Sequence, residues 1–149
     1  MKYVLKVLAT AGALAFAAGA QADVTYENSV KKLIAEGCAN CHGKNAPTME
    51  EFKKDQDGFK KKMKGPRMES YQDVMVMVNG SDTGAMMRRL DDGTSADGKA
   101  GNMYKYLGKN DADRAKNLAT FKEWVGHWTL KRKKDMSEDE LKKIKAPEK

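Results

Sequence analysis

The chain lacks the residue patterns that build disulfide frameworks and β-sheets. It has two cysteines among 149 residues, and only two residues separate them. A disulfide across so short a loop restricts the unfolded chain little, so a structural crosslink explains the pair poorly. After residue 22, no run of Val, Ile and Thr alternates with polar residues in the way that predicts paired strands. The predicted fold class is therefore all-α, and the two thiols are expected to serve chemistry.

Long apolar runs are also missing, except at the N-terminus. Two lysines are followed there by an Ala- and Leu-rich stretch over residues 7–18 and by Ala20-Gln21-Ala22, small residues at the positions that a signal peptidase reads. The run is shorter than the about 20 apolar residues that span a bilayer, although a retained membrane anchor is the alternative. This order predicts a cleaved secretory signal over residues 1–22, a mature domain over residues 23–149 and a location in the periplasm.

The predicted mature domain is moderately basic. Without Lys2 and Lys6, the formal net charge falls from +7 to +5. A charge of this size affects solubility and encounter rate rather than the fold. It favours partner proteins with acidic docking surfaces, whereas export makes nucleic acid an unexpected partner. The composition does not set the oligomeric state.

Four amphipathic helices are predicted from apolar spacing and capping residues. They lie near residues 28–36, 49–64, 70–78 and 111–128. The glycine-rich stretch between the third and fourth helices, residues 81–110, is predicted to be functional or mobile. A charged tail covers residues 131–149, where Ser137 and Glu140 resemble a capping box that begins a short helix. Apolar side chains are few for helices of this length, so the domain is expected to pack on a cofactor.

The motif that carries chemistry is Cys38-Ala39-Asn40-Cys41-His42, a C-x-x-C-H sequence typical of haem c attachment. Two thiols at this spacing add to the two vinyl groups on one edge of a porphyrin and form thioethers. The next residue is then held beneath the iron. The motif predicts one covalent haem c, with Cys38 and Cys41 as its thioether attachments and His42 as the proximal iron ligand.

Two other interpretations of the paired cysteines remain open. A thiol–disulfide redox pair also uses C-x-x-C, but it normally follows a strand in a βαβ unit. If the cysteines formed such a pair, the protein would carry no haem and would be an exported structural or interaction protein. A zinc site would take Cys38, Cys41, His42 and His127. The adjacent Cys41 and His42 make an awkward pair of ligands for one tetrahedral ion. Both interpretations are weaker than haem attachment.

The chain resembles the class I cytochromes c, small soluble monohaem electron carriers, over most of residues 27–90. The resemblance rests on the helix leading into Cys38–Gly43, on Val78–Ser81 and on Gly84–Met87, with further similar stretches at Phe59–Gly65 and Ser137–Lys142. It departs from the family at Val30 and Leu33, near the usual glycine and aromatic of the first helix, and the proline that follows the haem motif usually lies further on than Pro47. The resemblance implies a cytochrome c-like helical domain wrapped round one covalent haem.

The same resemblance implies a methionine as the second axial ligand. Met86 and Met87 follow a helix stop and lie 44 and 45 residues past His42, the separation that small members of the family use. Met86 is preferred because it follows Gly-Ala, although the family often has a proline after its ligand. Met87 is the alternative, and Met103 in the glycine-rich stretch is a further candidate.

His127 is the rival to these methionines. A helix turns about 100° per residue, so His127 would point away from Leu118, nine residues earlier on the apolar stripe. The fourth helix therefore predicts a histidine that faces water, provided that the helix continues through Gly126. A His/Met ligand pair raises the reduction potential relative to other axial sets.

The predicted function is a periplasmic carrier that shuttles single electrons between redox partners and is not an enzyme. Five lysines are expected near the exposed haem edge, where they would steer an acidic partner: Lys31, Lys32, Lys44, Lys53 and Lys54. The alternative is a haem-bearing subunit of a periplasmic oxidoreductase or a gas-binding haem protein. Residues 81–110 would then dock a partner or act as a lid.

Overall fold

The structure, a computed structural model, describes residues 23–95 and 98–149. No strand occurs within these two ranges, which agrees with the predicted all-α class. The helices are α1 (Lys31–Gly37), α2 (Ala39–His42), α3 (Met49–Lys54), α4 (Gln56–Lys61), α5 (Tyr71–Val78), α6 (Ala85–Leu90), α7 (Asp111–Val125) and α8 (Glu138–Lys142). A π-helical turn, Tyr26–Val30, leads into α1, and 3₁₀ turns cover Tyr104–Tyr106 and Lys133–Asp135. The predicted secretory signal lies outside the described residues.

The first helical segment begins earlier than its sequence predicts. The Thr25 hydroxyl accepts the backbone N–H of Asn28 at 3.2 Å, and the Asn28 side chain accepts the N–H of Thr25 at 2.9 Å. This reciprocal pair is a capping box, and it places the helix start at Tyr26. Val30 and Ile34 are buried, as the apolar spacing predicts. The helical segment therefore ends directly before the C-x-x-C-H motif.

The second predicted helix, residues 49–64, is two short helices in the structure. Asp55 takes φ −145° and ψ 63°, which interrupts the helix, and its carboxylate accepts the Gly58 N–H at 2.9 Å. Asp55 therefore ends α3 and caps α4. The rings of Phe52 and Phe59 still approach each other across the break, with centroids 6.2 Å apart. Phe52 and Phe59 are half-buried as apolar positions should be, but Met63, the third apolar position of this segment, is 73% exposed, and the predicted continuity of the helix is wrong.

The glycine-rich stretch contains a helix that the sequence analysis did not predict. Gly84 begins it with φ 81°, and a Cβ at this position would lie 2.2 Å from the carbonyl oxygen of Lys131. Only glycine meets both requirements. Met86, Met87 and Leu90 are buried in α6. The two candidate ligands therefore lie on a helix rather than in a loop.

Helix α7 forms the centre of the core and ends earlier than predicted. Its Phe121 and Trp124 are fully buried, and the helix packs against the Tyr26–Val30 turn. Gly126 takes φ 75° and ψ −57°, and the His127 N–H donates to the Val125 carbonyl at 2.9 Å. These values describe a γ-turn with positive φ, a rare and strained turn that glycine accommodates best. The prediction that α7 continues to about Trp128 is therefore wrong.

The C-terminal segment closes the fold against the first helical turn. The Tyr26 N–H and the Trp124 indole N–H both donate to the Pro147 carbonyl, at 2.9 and 2.8 Å. The Tyr71 hydroxyl donates to the Ala146 carbonyl at 2.9 Å. Ala146 is fully buried. The charged tail therefore also carries apolar residues into the core.

No helix in the described parts of the chain is long and apolar enough to cross a membrane.

Candidate haem site

The C-x-x-C-H motif forms a single helical turn. The N–H groups of Cys41 and His42 donate to the Cys38 carbonyl at 3.2 and 2.9 Å. Cys38 has φ −118°, which separates this turn from α1. Both thiols are free and half-buried. The turn therefore carries two thiols and an imidazole within five residues, the set that one haem edge and its iron require.

The Cys38 thiol is not activated for redox exchange. Burial raises its pKa to about 11, and the neighbouring Cys41 adds to the rise. Cysteines in active thiol–disulfide pairs have lowered pKa values, because the thiolate is the reactive form. No strand lies in residues 23–95 or 98–149 that could supply a βαβ unit. The dithiol interpretation therefore lacks both the lowered cysteine pKa and the βαβ unit that are typical of such redox pairs.

The His42 imidazole is held in the tautomer that a metal ligand needs. Its Nδ1 lies 2.6 Å from the Pro66 carbonyl oxygen. A carbonyl can only accept, so Nδ1 carries the proton and Nε2 keeps a free lone pair. Burial lowers the pKa of His42, which favours the neutral ring. These features fit His42 as an axial ligand of iron.

Gly65 allows the histidine ring to pack against the following loop. A Cβ on Gly65 would lie 2.1 Å from Cε1 of His42. The Gly65 N–H donates to the Cys41 carbonyl at 3.0 Å, and the Met68 N–H donates to the His42 carbonyl at 2.7 Å. Sequence reasoning considered only Pro47 as the proline after the motif and missed the role of Pro66. The Gly65-Pro66 pair was the signal that could have found it.

The two preferred methionines are buried on α6, a different helix from the turn that carries the C-x-x-C-H motif. Met86 is 4% exposed and Met87 is fully buried. The Thr129 N–H donates to the Met87 sulfur at 3.5 Å, so this sulfur faces the segment after α7. Met86 is one residue along the helix and so points about 100° away. Met103, the third candidate, is half-buried against the core beside the Tyr104–Tyr106 turn.

His127 does not face water as predicted. The γ-turn at Gly126 takes it off the helix, and its Nε2 is buried without a hydrogen-bond partner in the described structure. The zinc interpretation is not supported either. Within residues 23–95 and 98–149, no three His, Cys, Asp or Glu side chains are grouped as a metal site, although Cys38, Cys41, His42 and His127 are all described.

Most of the lysines predicted to surround the haem edge are paired with carboxylates of the same chain. The pairs are Lys31–Glu27 at 2.9 Å, Lys32–Glu36 at 3.8 Å, Lys53–Asp82 at 2.7 Å and Lys54–Glu50 at 3.8 Å. Lys44 is the exception among the five. It lines a depression of about 350 Å³ beside the motif together with Lys64, whose Nζ lies 3.5 Å from the Asn40 carbonyl. Lys61 and Lys62 are nearby in sequence and exposed.

Two comparisons with known proteins give matches over most of the chain. A family model described as PccH cytochrome c matches residues 25–147. The structure of monoheme cytochrome PccH from Geobacter sulfurreducens superimposes with a TM-score of 0.79 at 42% sequence identity, covering 84% of this chain and 98% of that chain. A search of curated proteins found no match.

Proposed function

This chain belongs to the PccH cytochrome c family, and on that premise we propose that it shuttles single electrons between redox proteins in the periplasm. Membership gives the chain one covalently bound haem c and a role in electron transfer. Proteins of this kind are generally electron carriers rather than enzymes. The periplasmic location and the shuttling role are the parts that we propose.

The observation that carries the proposal is the His42–Pro66 hydrogen bond. It fixes the ring orientation and leaves Nε2 available, so His42 would hold the iron through Nε2. Cys38 and Cys41 would hold the porphyrin covalently, on the same helical turn as the ligand. When bound, haem supplies a reversible one-electron couple between ferrous and ferric iron. Cys38, Cys41 and His42 would hold and orient the haem, and an electron carrier needs no further chemistry from its protein.

We assign Met86 as the second axial ligand. The Met87 sulfur already faces the 126–131 segment through its contact with the Thr129 N–H, whereas no such contact engages Met86 in the described residues. Met86 is nevertheless buried, as a ligand must be. Together, His42 and Met86 would hold the haem and leave no place for a substrate, so the bound group would supply one-electron chemistry only. Thioether coordination opposite histidine favours a relatively high reduction potential.

The location is supported by the N-terminal sequence and by the chemistry of attachment. Residues 1–22 have the layout of a cleaved secretory signal. Haem c thioethers are made outside the cytoplasm, so an exported chain with C-x-x-C-H is chemically consistent. A free protein found in the periplasmic fraction with Asp23 as its first residue is the expected result. A chain retained in the membrane fraction with residues 1–22 attached would contradict it.

Spectroscopy of the natively matured protein tests the function directly. We expect the oxidised protein to show the weak near-infrared charge-transfer band of a methionine–iron bond. We expect the reduced protein to bind carbon monoxide slowly or not at all. A missing band together with rapid carbon monoxide binding would instead support the gas-binding or enzyme-subunit alternative. A colourless product would contradict haem attachment itself.

A further inference from the structure

We propose that a basic groove over α6, formed with residues 132–134, binds an acidic segment of a partner protein. The groove has a volume of about 440 Å³ and is open to solvent. Four of its residues are cationic: Arg88, Arg132, Lys133 and Lys134. It is lined by none of the residues of the depression beside the C-x-x-C-H motif. The chain would therefore offer a second docking surface, on the helix that carries Met86.

The cations of the C-terminal segment are available to another molecule. Arg132, Lys133 and Lys134 are exposed, and none of them forms an ion pair within the described residues. Their neighbour Lys131 differs, because its Nζ lies 2.6 Å from a Glu140 carboxylate oxygen. The chain therefore pairs the first cation of this run and leaves the next three without an ion pair within the described residues, although the Asp135 carboxylate follows them in sequence. An uncompensated positive cluster attracts acidic surfaces and accelerates their encounter.

Arg88 supplies a fixed cation on the floor of the groove. Its Nη1 donates to the carbonyls of Lys131 and Leu130 at 2.8 and 3.4 Å, which holds the guanidinium in place. Burial lowers the pKa of Arg88, and the nearby Arg132 and Arg89 lower it further, whereas Asp82 and Asp135 partly oppose this shift. Two further cations thus lie close to Arg88. A carboxylate entering the groove would relieve this repulsion, and a planar guanidinium is well suited to bind it.

The groove's own acidic residue does not cancel this charge. Asp82 accepts from Lys53 Nζ and from the Ser81 hydroxyl, both at 2.7 Å, so its charge is already paired. The cations lie along an open surface on consecutive residues rather than around a closed pocket. That arrangement matches several carboxylates spaced along a peptide better than one small anion.

Titration of the haem-loaded, ¹⁵N-labelled protein with a decaglutamate peptide at low ionic strength tests the proposal. We expect amide shifts at residues 81–88 and 130–134. The variant Arg132→Glu/Lys133→Glu/Lys134→Glu should bind the peptide at least about tenfold more weakly, because like charges then face each other. The matched control is Lys61→Glu/Lys62→Glu/Lys64→Glu, which makes the same charge change beside the motif and should retain the groove shifts. The haem spectrum of each variant reports that it is folded.

Three results would overturn the proposal. Shifts confined to Lys44 and residues 60–64 would mean that acidic partners dock beside the motif and not in the groove. Equal weakening in the two triple variants would mean that the peptide responds to net charge alone. Saturation of residues 81–88 and 130–134 by inorganic phosphate at the concentrations that decaglutamate requires would make the groove a small-anion site.

Discussion

The two candidate faces of the haem site are built in different ways. The proximal face comes from one helical turn, Cys38–His42, and the short loop Gly65–Met68 hydrogen-bonded beside it. The proposed distal face would depend on α6, on the left-handed Gly84 at its start and on residues 127–131 after the end of α7. A motif of five residues can specify the first face almost alone. The second exists only after distant parts of the chain have packed.

Removing both thiols should have the largest effect, because it breaks the proximal face at its covalent attachments. We expect Cys38→Ala/Cys41→Ala to lose covalent haem completely. Mass spectrometry of the purified protein should show the chain without the haem increment. A haem increment that survives the double substitution would mean that attachment does not use these thiols.

The next largest effect is expected at Gly65, where the proximal face is most tightly packed. In Gly65→Ala, the new Cβ would lie 2.1 Å from His42 Cε1, so the ring must shift away from Pro66. Overpacking of this kind costs about 1–3 kcal/mol. The yield of haem-loaded protein and its unfolding midpoint should both fall.

Gly98→Ala is the control for this substitution, because it adds a Cβ without a close contact. Unlike Gly65, Gly98 has a positive φ, 80°, and a Cβ there would meet no atom within 4 Å. It should lose about 1 kcal/mol from backbone strain and keep an unchanged haem spectrum. Equal spectra for Gly65→Ala and Gly98→Ala would show that the close approach of Gly65 to His42 is not required.

A smaller and more selective effect is expected on the distal face. Met86→Leu should abolish the near-infrared methionine band and lower the reduction potential, since a thioether ligand is lost. Met87→Leu should keep the band and cost less than about 1.5 kcal/mol, as a volume-conserving change usually does. Near-infrared spectra and redox titration of both variants measure this contrast. The reverse pattern would exchange the two assignments.

The smallest effect is expected at α8, a short helix that belongs to neither face. The Glu140 carboxylate accepts from Lys131 Nζ and from the Ser137 N–H, and these bonds lower its pKa from 4.5 to about 2. A lowered pKa means that the stabilisation is complete above pH 4.5 and is lost as the pH falls towards about 2. The protection of the α8 amides, measured against the intrinsic exchange rate at each pH, should therefore fall over this window.

Glu140→Gln should remove this pH dependence, and Glu138→Gln, in the same helix, should keep it. Two-dimensional NMR exchange spectra recorded between pH 5 and roughly pH 2 compare the variants, since the titration spans this range. Identical profiles for the two substitutions would mean that the Lys131–Glu140 pair does not anchor the helix.

Local sequence signals predicted local structure well. Helix α5 starts at the predicted position, directly after Ser70, and the capping box of Ser137 and Glu140 occurs where the sequence predicts it. The breaks at Asp55 and Gly126 were missed because apolar spacing continues across both positions. Tertiary packing and capping overrode the periodic pattern there.

The same distinction holds for the site. The thiols and His42 were predicted because they are contiguous, whereas the acceptor for His42 lies 24 residues away on Pro66. Helix α6 was missed because it stands in a glycine-rich stretch, although Ala85–Leu90 consists mostly of strong helix formers. The buried setting of His127 could not be predicted, since it follows from a γ-turn.

The closure of the C-terminal segment on the Tyr26–Val30 turn has a consequence for the order of assembly. Its hydrogen bonds from Tyr26 and Glu27 to Pro147 and Glu148 join residues almost a full domain apart in the chain. Contacts of such long sequence separation form slowly during folding, because closing a long loop is entropically unfavourable. The two ends of the domain are therefore expected to join late in folding, after the local turns around the motif have formed.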